Sequence, residues 1–120
     1  MSRDFKIYLE DMILAAQKVL RYTAGFSHDQ FVNDEKTFDA VIRNLEIVGE
    51  AAKRIPPEVR ERYSQVEWRQ TAGLRDVVIH QYSAVDEDII WDVVQNHLPA
   101  LLTQLQQILT AENATGSASD

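Results

Sequence analysis

Cysteine is absent from this chain of 120 residues, which contains only four glycines and three prolines. Without cysteine there can be no disulfide, thiolate nucleophile or cysteine-based zinc site, and such a composition fits a reducing compartment. So few glycines and prolines argue against a collagenous or broadly disordered chain. We therefore expect one compact domain with a core of modest size.

Long hydrophobic runs are also missing. Asp4, Lys6, Glu10 and Asp11 interrupt the apolar residues at the N-terminus, so this segment does not resemble a signal peptide. No window approaches the roughly 20 apolar residues that a membrane span requires. We expect a cytoplasmic protein with no membrane partner.

Positive charge is scarce, because 12 lysines and arginines face 19 acidic residues, for a net charge of −7. This balance argues against generic nucleic-acid binding, and we expect no DNA partner. Residues 53–75 differ from the rest, since they hold six basic residues and three glutamates. A solvated helix face with mixed charges is the simpler explanation of this segment.

Apolar residues recur at steps of three and four, which predicts an all-α protein. The predicted long helices span residues 4–23, 34–54, 66–80 and 86–110. A polar connection joins the first two, and short helical turns follow Pro57. The simplest arrangement is an antiparallel bundle of four long helices. Residues 1–111 would form this domain, and the small polar residues 112–120 would form a disordered tail.

Four positions predict local features of these helices. Gly25 is placed to end the first helix, and Asp86 is a suitable N-cap for the last one. Pro99 should cause a kink or a short break, because it removes the bond to the carbonyl of Gln95. Gly49 either permits close approach of a neighbouring helix or is merely tolerated.

The segment GLRDVVIHQY, residues 73–82, places polar side chains in an otherwise apolar stripe. Arg75 there needs an acidic partner or an opening to a cleft, because burying an unpaired guanidinium is costly. Asp76 and His80 are helical neighbours, so the carboxylate can fix the imidazole tautomer. Arg75 and His80 diverge by about 140° on a helix, so a shared site requires a bend or a second copy of the chain.

Arginine and histidine together suit cleavage of a ribose phosphodiester. Arg75 would hold the phosphate bidentately, and His80 would exchange protons with the 2′-hydroxyl or the leaving oxygen near neutral pH. A buried structural pair that closes the helix explains the same residues. The residue types alone do not decide between these interpretations.

RDVVIHQY resembles the Arg-x4-His-x-Tyr motif of HepT-like toxins in the HEPN superfamily. NLEIVGEAAKRIP, EWRQTAGLRD and VDEDIIWDVV are similar to further recurrent segments of that family, in the same order. The resemblance covers residues 4–110. It implies an HEPN-like all-α homodimer in which two motifs face one composite cleft.

The resemblance further implies a metal-independent endoribonuclease toxin with RNA as substrate and no cofactor. Arg75 and His80 would be catalytic, and Asp76 would support them in a position where many relatives have asparagine. Tyr82 matches the tyrosine that a minimal nucleotidyltransferase (MNT) antitoxin AMPylates in type VII-like HEPN/MNT systems. The adenylyl group would add bulk and negative charge beside the phosphate site.

An alternative from another class is a catalytically silent helical module that binds a nucleotide or the nucleotidyltransferase. Tyr82 would then simply cap the helices, with its hydroxyl in water. His28 and His97 lie outside the motif and are interpreted as structural or surface residues. Glu50 is a possible salt partner for Arg75.

Overall fold

The computed structural model describes residues 5–80 and 86–119, except for the side chains of residues 79, 80 and 115–119. Its helices are α1 (Phe5–Thr23), α2 (His28–Asn33), α3 (Glu35–Lys53), α4 (Pro57–Arg62), α5 (Trp68–His80), α6 (Glu87–Asp92) and α7 (Leu98–Ser119). A π-helical segment, Val93–His97, joins α6 to α7. No strand occurs in the two described ranges, so the all-α prediction is confirmed.

The helix ends follow the local signals in the sequence. Gly25 adopts a φ of 79° after α1, a conformation that glycine accepts without a steric penalty. Pro57 occupies the first turn of α4, where its missing N–H needs no partner. The carboxylate of Asp86 accepts hydrogen bonds from the N–H groups of Asp88 and Ile89 at the start of α6. These predicted boundaries are confirmed.

α2 lies where the sequence analysis predicted only a polar connection, so that prediction was wrong. The hydroxyl of Ser27 accepts a bond from the N–H of Gln30, whose side chain accepts one from the N–H of Ser27. This capping box satisfies free donors at the start of the helix. Phe31 is fully buried and packs against the rings of Phe38 and Trp91, so burial of one aromatic ring secures the short helix.

The last helical run is broken just before Pro99, as predicted. The N–H of Leu98 donates to the carbonyl of Val93, five residues earlier, rather than to the usual fourth residue. Since proline has no N–H to donate, the wider turn accommodates the interruption of the helical ladder. α7 then continues beyond the proline.

The core is built around α3, which packs against α1 on one side and α5 on the other. α7 packs against α1, so the long helices follow one another in the order α7, α1, α3, α5. The four-helix bundle and the homodimer stay predictions. None of the described helices combines the length and apolar character needed to cross a membrane. The largest fully buried side chains include Phe5, Leu9, Met12, Leu45, Ile55, Leu98, Leu101 and Leu105.

α7 extends past residue 110, the end that the sequence predicted, and the reason is tertiary. Glu112 is only 7% exposed, and its carboxylate accepts a hydrogen bond of 2.5 Å from the hydroxyl of Tyr63. The Nη1 atom of Arg62 lies 3.6 Å from the same carboxylate oxygen. The hydroxyl of Tyr63 and the guanidinium of Arg62 compensate the cost of burying the Glu112 carboxylate. The helix therefore continues through a segment whose residues are mostly small and polar. The separate domain boundary at residue 111 stays a prediction.

The bond between Tyr63 and Glu112 should make stability depend on pH in the alkaline range. Burial, followed by the neighbouring carboxylate, raises the pKa of Tyr63 above its ordinary value of 10.0. The stabilisation is therefore complete below pH 10 and is lost as the pH rises through the pKa of the folded state. We expect Tyr63→Phe to lower the unfolding free energy by about 1–3 kcal/mol at pH 8, because it leaves a buried carboxylate without its hydroxyl donor.

Chemical denaturation of Tyr63→Phe and the unsubstituted protein at pH 8 and pH 11 would measure this dependence. The stability difference should shrink at the higher pH. Tyr22→Phe is the control, because the ring of Tyr22 contacts Arg21 instead of a buried acid. A difference between Tyr63→Phe and the unsubstituted protein that is equal at both pH values would contradict the assignment.

Candidate functional site

Arg75 lies on α5 at the point where α3 comes closest. A Cβ atom added to Gly49 of α3 would lie 2.5 Å from the backbone nitrogen of Arg75 and 3.0 Å from its Cβ. Real side chains do not approach a backbone this closely, so only glycine fits between the helices here. Of the two interpretations of Gly49, close helix approach is confirmed.

The guanidinium of Arg75 forms an ion pair with the carboxylate of Glu50, which follows Gly49 on α3. The possible salt partner named from the sequence is therefore confirmed. Arg75 keeps 37% of its side chain exposed, and Glu50 keeps 45%. The pair is thus partly hydrated, and its carboxylate orients the guanidinium without removing it from solvent.

Arg75 opens into a surface groove of about 410 Å³ between α1, α3 and α5, called here the Arg75 groove. Its walls carry charges of both signs, and Arg43 contacts Glu46 across 3.2 Å. The guanidinium of Arg54 lies over the ring of Tyr8, 5.9 Å from its centre. The groove is lined by Tyr8, Asp11, Arg43, Glu46, Ile47, Glu50, Ala51, Arg54 and Arg75.

Asp76 is not among the residues that line this groove, and its carboxylate contacts two cations, Lys53 and Arg75. Its carboxylate lies 3.8 Å from Nζ of Lys53 and 3.8 Å from Nη1 of Arg75. With 54% of the side chain exposed, these contacts are screened by water and contribute little to stability. Asp76 therefore retains its capacity to accept a hydrogen bond.

His80 is the last residue of α5, and its backbone follows Asp76 by four residues. Position 80 is therefore one helical turn beyond Asp76 on the same face. The side chain of His80 and all of Tyr82 lie outside the described residues. The structure thus brings Arg75 and Asp76 together, whereas the meeting of Arg75 with His80 stays a prediction.

The two other histidines join helices. Nε2 of His28 lies 2.6 Å from the carboxylate of Asp88 and thereby connects α2 to α6. Nε2 of His97 lies 3.3 Å from the hydroxyl of Thr71 on α5. Their interpretation as structural residues is confirmed by these contacts. Within the described ranges, no three histidine or acidic side chains cluster closely enough to hold a metal ion.

A second groove, of about 880 Å³, lies between α4, α5 and the end of α3 and is called here the α4–α5 groove. Its basic residues belong to the segment 53–75, whose local positive charge was the only sign of it in the sequence. The groove is lined by Lys53, Pro57, Arg60, Glu61, Ser64, Val66, Trp68, Arg69, Ala72, Gly73 and Asp76.

Comparison with known proteins extends over nearly the whole chain. Residues 12–108 match the family model described as ribonuclease HepT-like. A protein provisionally named an RNase from Caldanaerobacter subterraneus subsp. tengcongensis is 39% identical over 88% of this chain and 94% of its own length. The "Probable ribonuclease HepT" of Thermococcus cleftensis is 37% identical over 90% of this chain and 98% of its own. No solved structure matches the chain significantly.

Proposed function

Because this chain belongs to the HepT-like ribonuclease family of the HEPN superfamily, we propose that it is a metal-independent endoribonuclease toxin. The observation that carries the proposal is the state of Arg75. Its guanidinium is oriented by Glu50, remains 37% exposed and faces a groove. A preorganised cation that is open to solvent can receive a phosphate without a large rearrangement.

In the proposed reaction, Arg75 binds the non-bridging oxygens of the phosphate and stabilises the charge that develops on them. His80 removes the proton of the 2′-hydroxyl, and the 2′-oxygen attacks phosphorus. The bond from phosphorus to the 5′-oxygen breaks, and that oxygen takes up a proton from water or from the imidazolium that His80 has formed. The products are a 2′,3′-cyclic phosphate and a 5′-hydroxyl. Asp76, one turn before His80, holds the imidazole in the required tautomer.

In this proposal, a homodimer brings Arg75 and His80 to the same phosphate. Arg75 and position 80 point in directions that differ by about 140° on a continuous helix, so one copy of α5 does not aim both at one phosphate. A two-fold axis near the end of α5 would place the arginine of one protomer beside the histidine of the other.

Incubation of the purified protein with single-stranded RNA in a chelator tests the proposal. We expect cleavage to persist without divalent metal and to leave ends with a 2′,3′-cyclic phosphate. The intact mass of the protein is measured first, because an adenylyl group on Tyr82 would silence it. An unmodified protein that leaves several RNAs uncut would favour the silent binding module instead.

The proposal includes a nucleotidyltransferase antitoxin of the MNT type that modifies Tyr82. The phenol oxygen would attack the α-phosphorus of ATP, forming an O–P bond and releasing pyrophosphate, while its proton passes to solvent. The added phosphate would repel RNA from the site.

Incubation with a nucleotidyltransferase of the MNT type and with ATP should add adenylyl mass to the protein and stop RNA cleavage. Tyr82→Phe should gain no mass and should keep cleaving. Tyr22→Phe is the matched control and should be modified like the unsubstituted protein. Equal modification of Tyr82→Phe would place the reaction on another residue.

A further inference from the structure

The α4–α5 groove is lined by more basic than acidic residues and includes Asp76, which supports the proposed catalytic pair. Lys53, Arg60 and Arg69 line it together with the acidic residues Glu61 and Asp76, although the whole chain carries a charge of −7. We propose that this groove binds the phosphates of the single-stranded RNA that flanks the cleaved bond. The inference rests on the proposed ribonuclease function and identifies where the strand lies.

Two of these cations lack the acidic partner that Arg43, Arg62 and Arg75 have. Arg43, Arg62 and Arg75 each form an ion pair with a glutamate. Across residues 5–80 and 86–119, neither Arg60 nor Arg69 has a carboxylate oxygen within 4.0 Å. A cation that is not neutralised by the protein itself is the kind that releases counterions when it binds phosphate.

Arg60 indicates a phosphate contact in the groove more specifically than Arg69 does. Its side chain is half-buried and lines the groove, and its Nε atom has no hydrogen-bond partner among the described residues. A phosphate oxygen that contacts the guanidinium of Arg60 in the groove would supply an acceptor that the described residues do not provide. Arg69 is exposed at the other side of the groove. The two arginines therefore offer one partly buried and one open contact to a strand.

The groove runs along α5 toward the catalytic residues. Arg69, Gly73 and Asp76 line it at successive turns of one helix face. Position 80 continues this face by one more turn, so the distance from position 69 to position 80 is roughly 16 Å at about 1.5 Å per residue. A strand that is cut beside position 80 would thus lie over Asp76 and Gly73 before it reaches Arg69.

The shape of the groove favours a polymer over a small nucleotide. Gly73 leaves its floor open, because a Cβ atom there would meet nothing within 4 Å. The chain has no glycine-rich loop that would hold the phosphates of a mononucleotide. Cations spread along an open groove are typical of proteins that follow the backbone of a single strand.

The test measures RNA binding by His80→Ala protein, in which the substrate should stay intact. Fluorescence anisotropy of a labelled single-stranded RNA would be recorded over a series of salt concentrations, with and without the additional substitutions Arg60→Gln and Arg69→Gln. Each lost phosphate contact should reduce the slope of log affinity against log salt by about 0.7. We therefore expect the double substitution to reduce the slope by about 1.4.

Arg21→Gln with Lys36→Gln is the matched control, because it removes the same charge from exposed positions outside the groove. Circular dichroism spectra are recorded to check that both variants are folded. An equal slope for the groove variant and the control variant would overturn the inference. Tighter binding of AMP than of RNA would overturn it as well, since the groove would then serve a nucleotide.

A comparison of substrates separates this inference from the proposed function. In the background with His80 intact, Arg60→Gln with Arg69→Gln should slow cleavage of long RNA but should leave cleavage of a dinucleotide unchanged. Slower cleavage of long RNA with an unchanged rate on the dinucleotide supports phosphate binding in the groove. If the protein with both substitutions cuts both substrates at the normal rate, only the inference about the groove is overturned. If unmodified protein without these substitutions neither binds nor cuts RNA, both proposals are overturned.

Discussion

His80→Ala is expected to lower the rate of RNA cleavage by about 10²- to 10⁴-fold, which is the usual contribution of a general acid or base. Arg75→Ala should cause a loss of about 10²- to 10³-fold, because it removes the charge that stabilises the developing phosphate anion. Arg75→Lys should recover only part of this loss, since an ammonium keeps the charge but not the planar fork of donors. Single-turnover cleavage of a labelled RNA measures all three.

His28→Gln is the control for the loss of a histidine. His28 contacts Asp88 and Trp91 at the junction of α2 and α6, so its replacement should leave cleavage unchanged. A control for folding is needed for Arg75→Ala, because this change leaves Glu50 without its ion-pair partner. Its circular dichroism spectrum should match that of the unsubstituted protein. Cleavage that survives in unmodified His80→Ala at the original rate would remove the proposed mechanism.

Gly49→Ala is expected to lower the unfolding free energy by about 1 kcal/mol. The added Cβ would lie 2.5 Å from the backbone nitrogen of Arg75, and a backbone cannot turn away as a long side chain can. Overpacking of this kind costs about 1–3 kcal/mol, and the better helix propensity of alanine offsets roughly 1 kcal/mol of it. The melting temperature should fall by roughly 4 °C, at about 4 °C per kcal/mol.

Gly73→Ala is the matched control, because it makes the same chemical change inside α5. A Cβ atom at Gly73 would meet no atom within 4 Å, so only the gain in helix propensity remains. We expect Gly73→Ala to stabilise the protein by up to about 1 kcal/mol. Both variants are melted at one protein concentration, since a dimer would make the midpoint depend on concentration. Stabilisation by Gly49→Ala would refute the close helix contact.

The contact at Gly49 also connects stability to the site. Gly49 sets how closely α3 approaches α5, and Glu50, its neighbour, orients Arg75. A displacement of α3 would therefore change the direction of the guanidinium. Gly49→Ala should reduce RNA cleavage in addition to stability, because a misplacement of about 1 Å in a catalytic group can lower the rate by 10²-fold.

Much of the fold could be predicted from short segments of the sequence. Helix periodicity, the cap at Asp86, the break at Pro99 and the end of α1 at Gly25 depend on neighbouring residues only. The end of α7 could not be predicted in this way. Glu112 is held by Tyr63, which lies 49 residues earlier, and no local pattern indicates such a partner.

The candidate site likewise has some features that the sequence predicts and others that it does not. A motif of eight residues named Arg75, Asp76, His80 and Tyr82 as candidates, because residue types and spacing are enough to suggest chemistry. The sequence also permitted Glu50 as a partner of Arg75, but only as one possibility. It indicated positive charge in residues 53–75 without indicating a groove.

The sequence by itself determined the all-α class, most helix boundaries and the family, since these depend on periodicity, caps and a spaced motif. Only the tertiary structure decided that Gly49 is a point of helix contact, that Glu50 orients Arg75 and that Arg60 and Arg69 share one groove. The physical reason is that each of these features joins residues on different helices. Their distances are set by the packing of the core, which no single segment encodes.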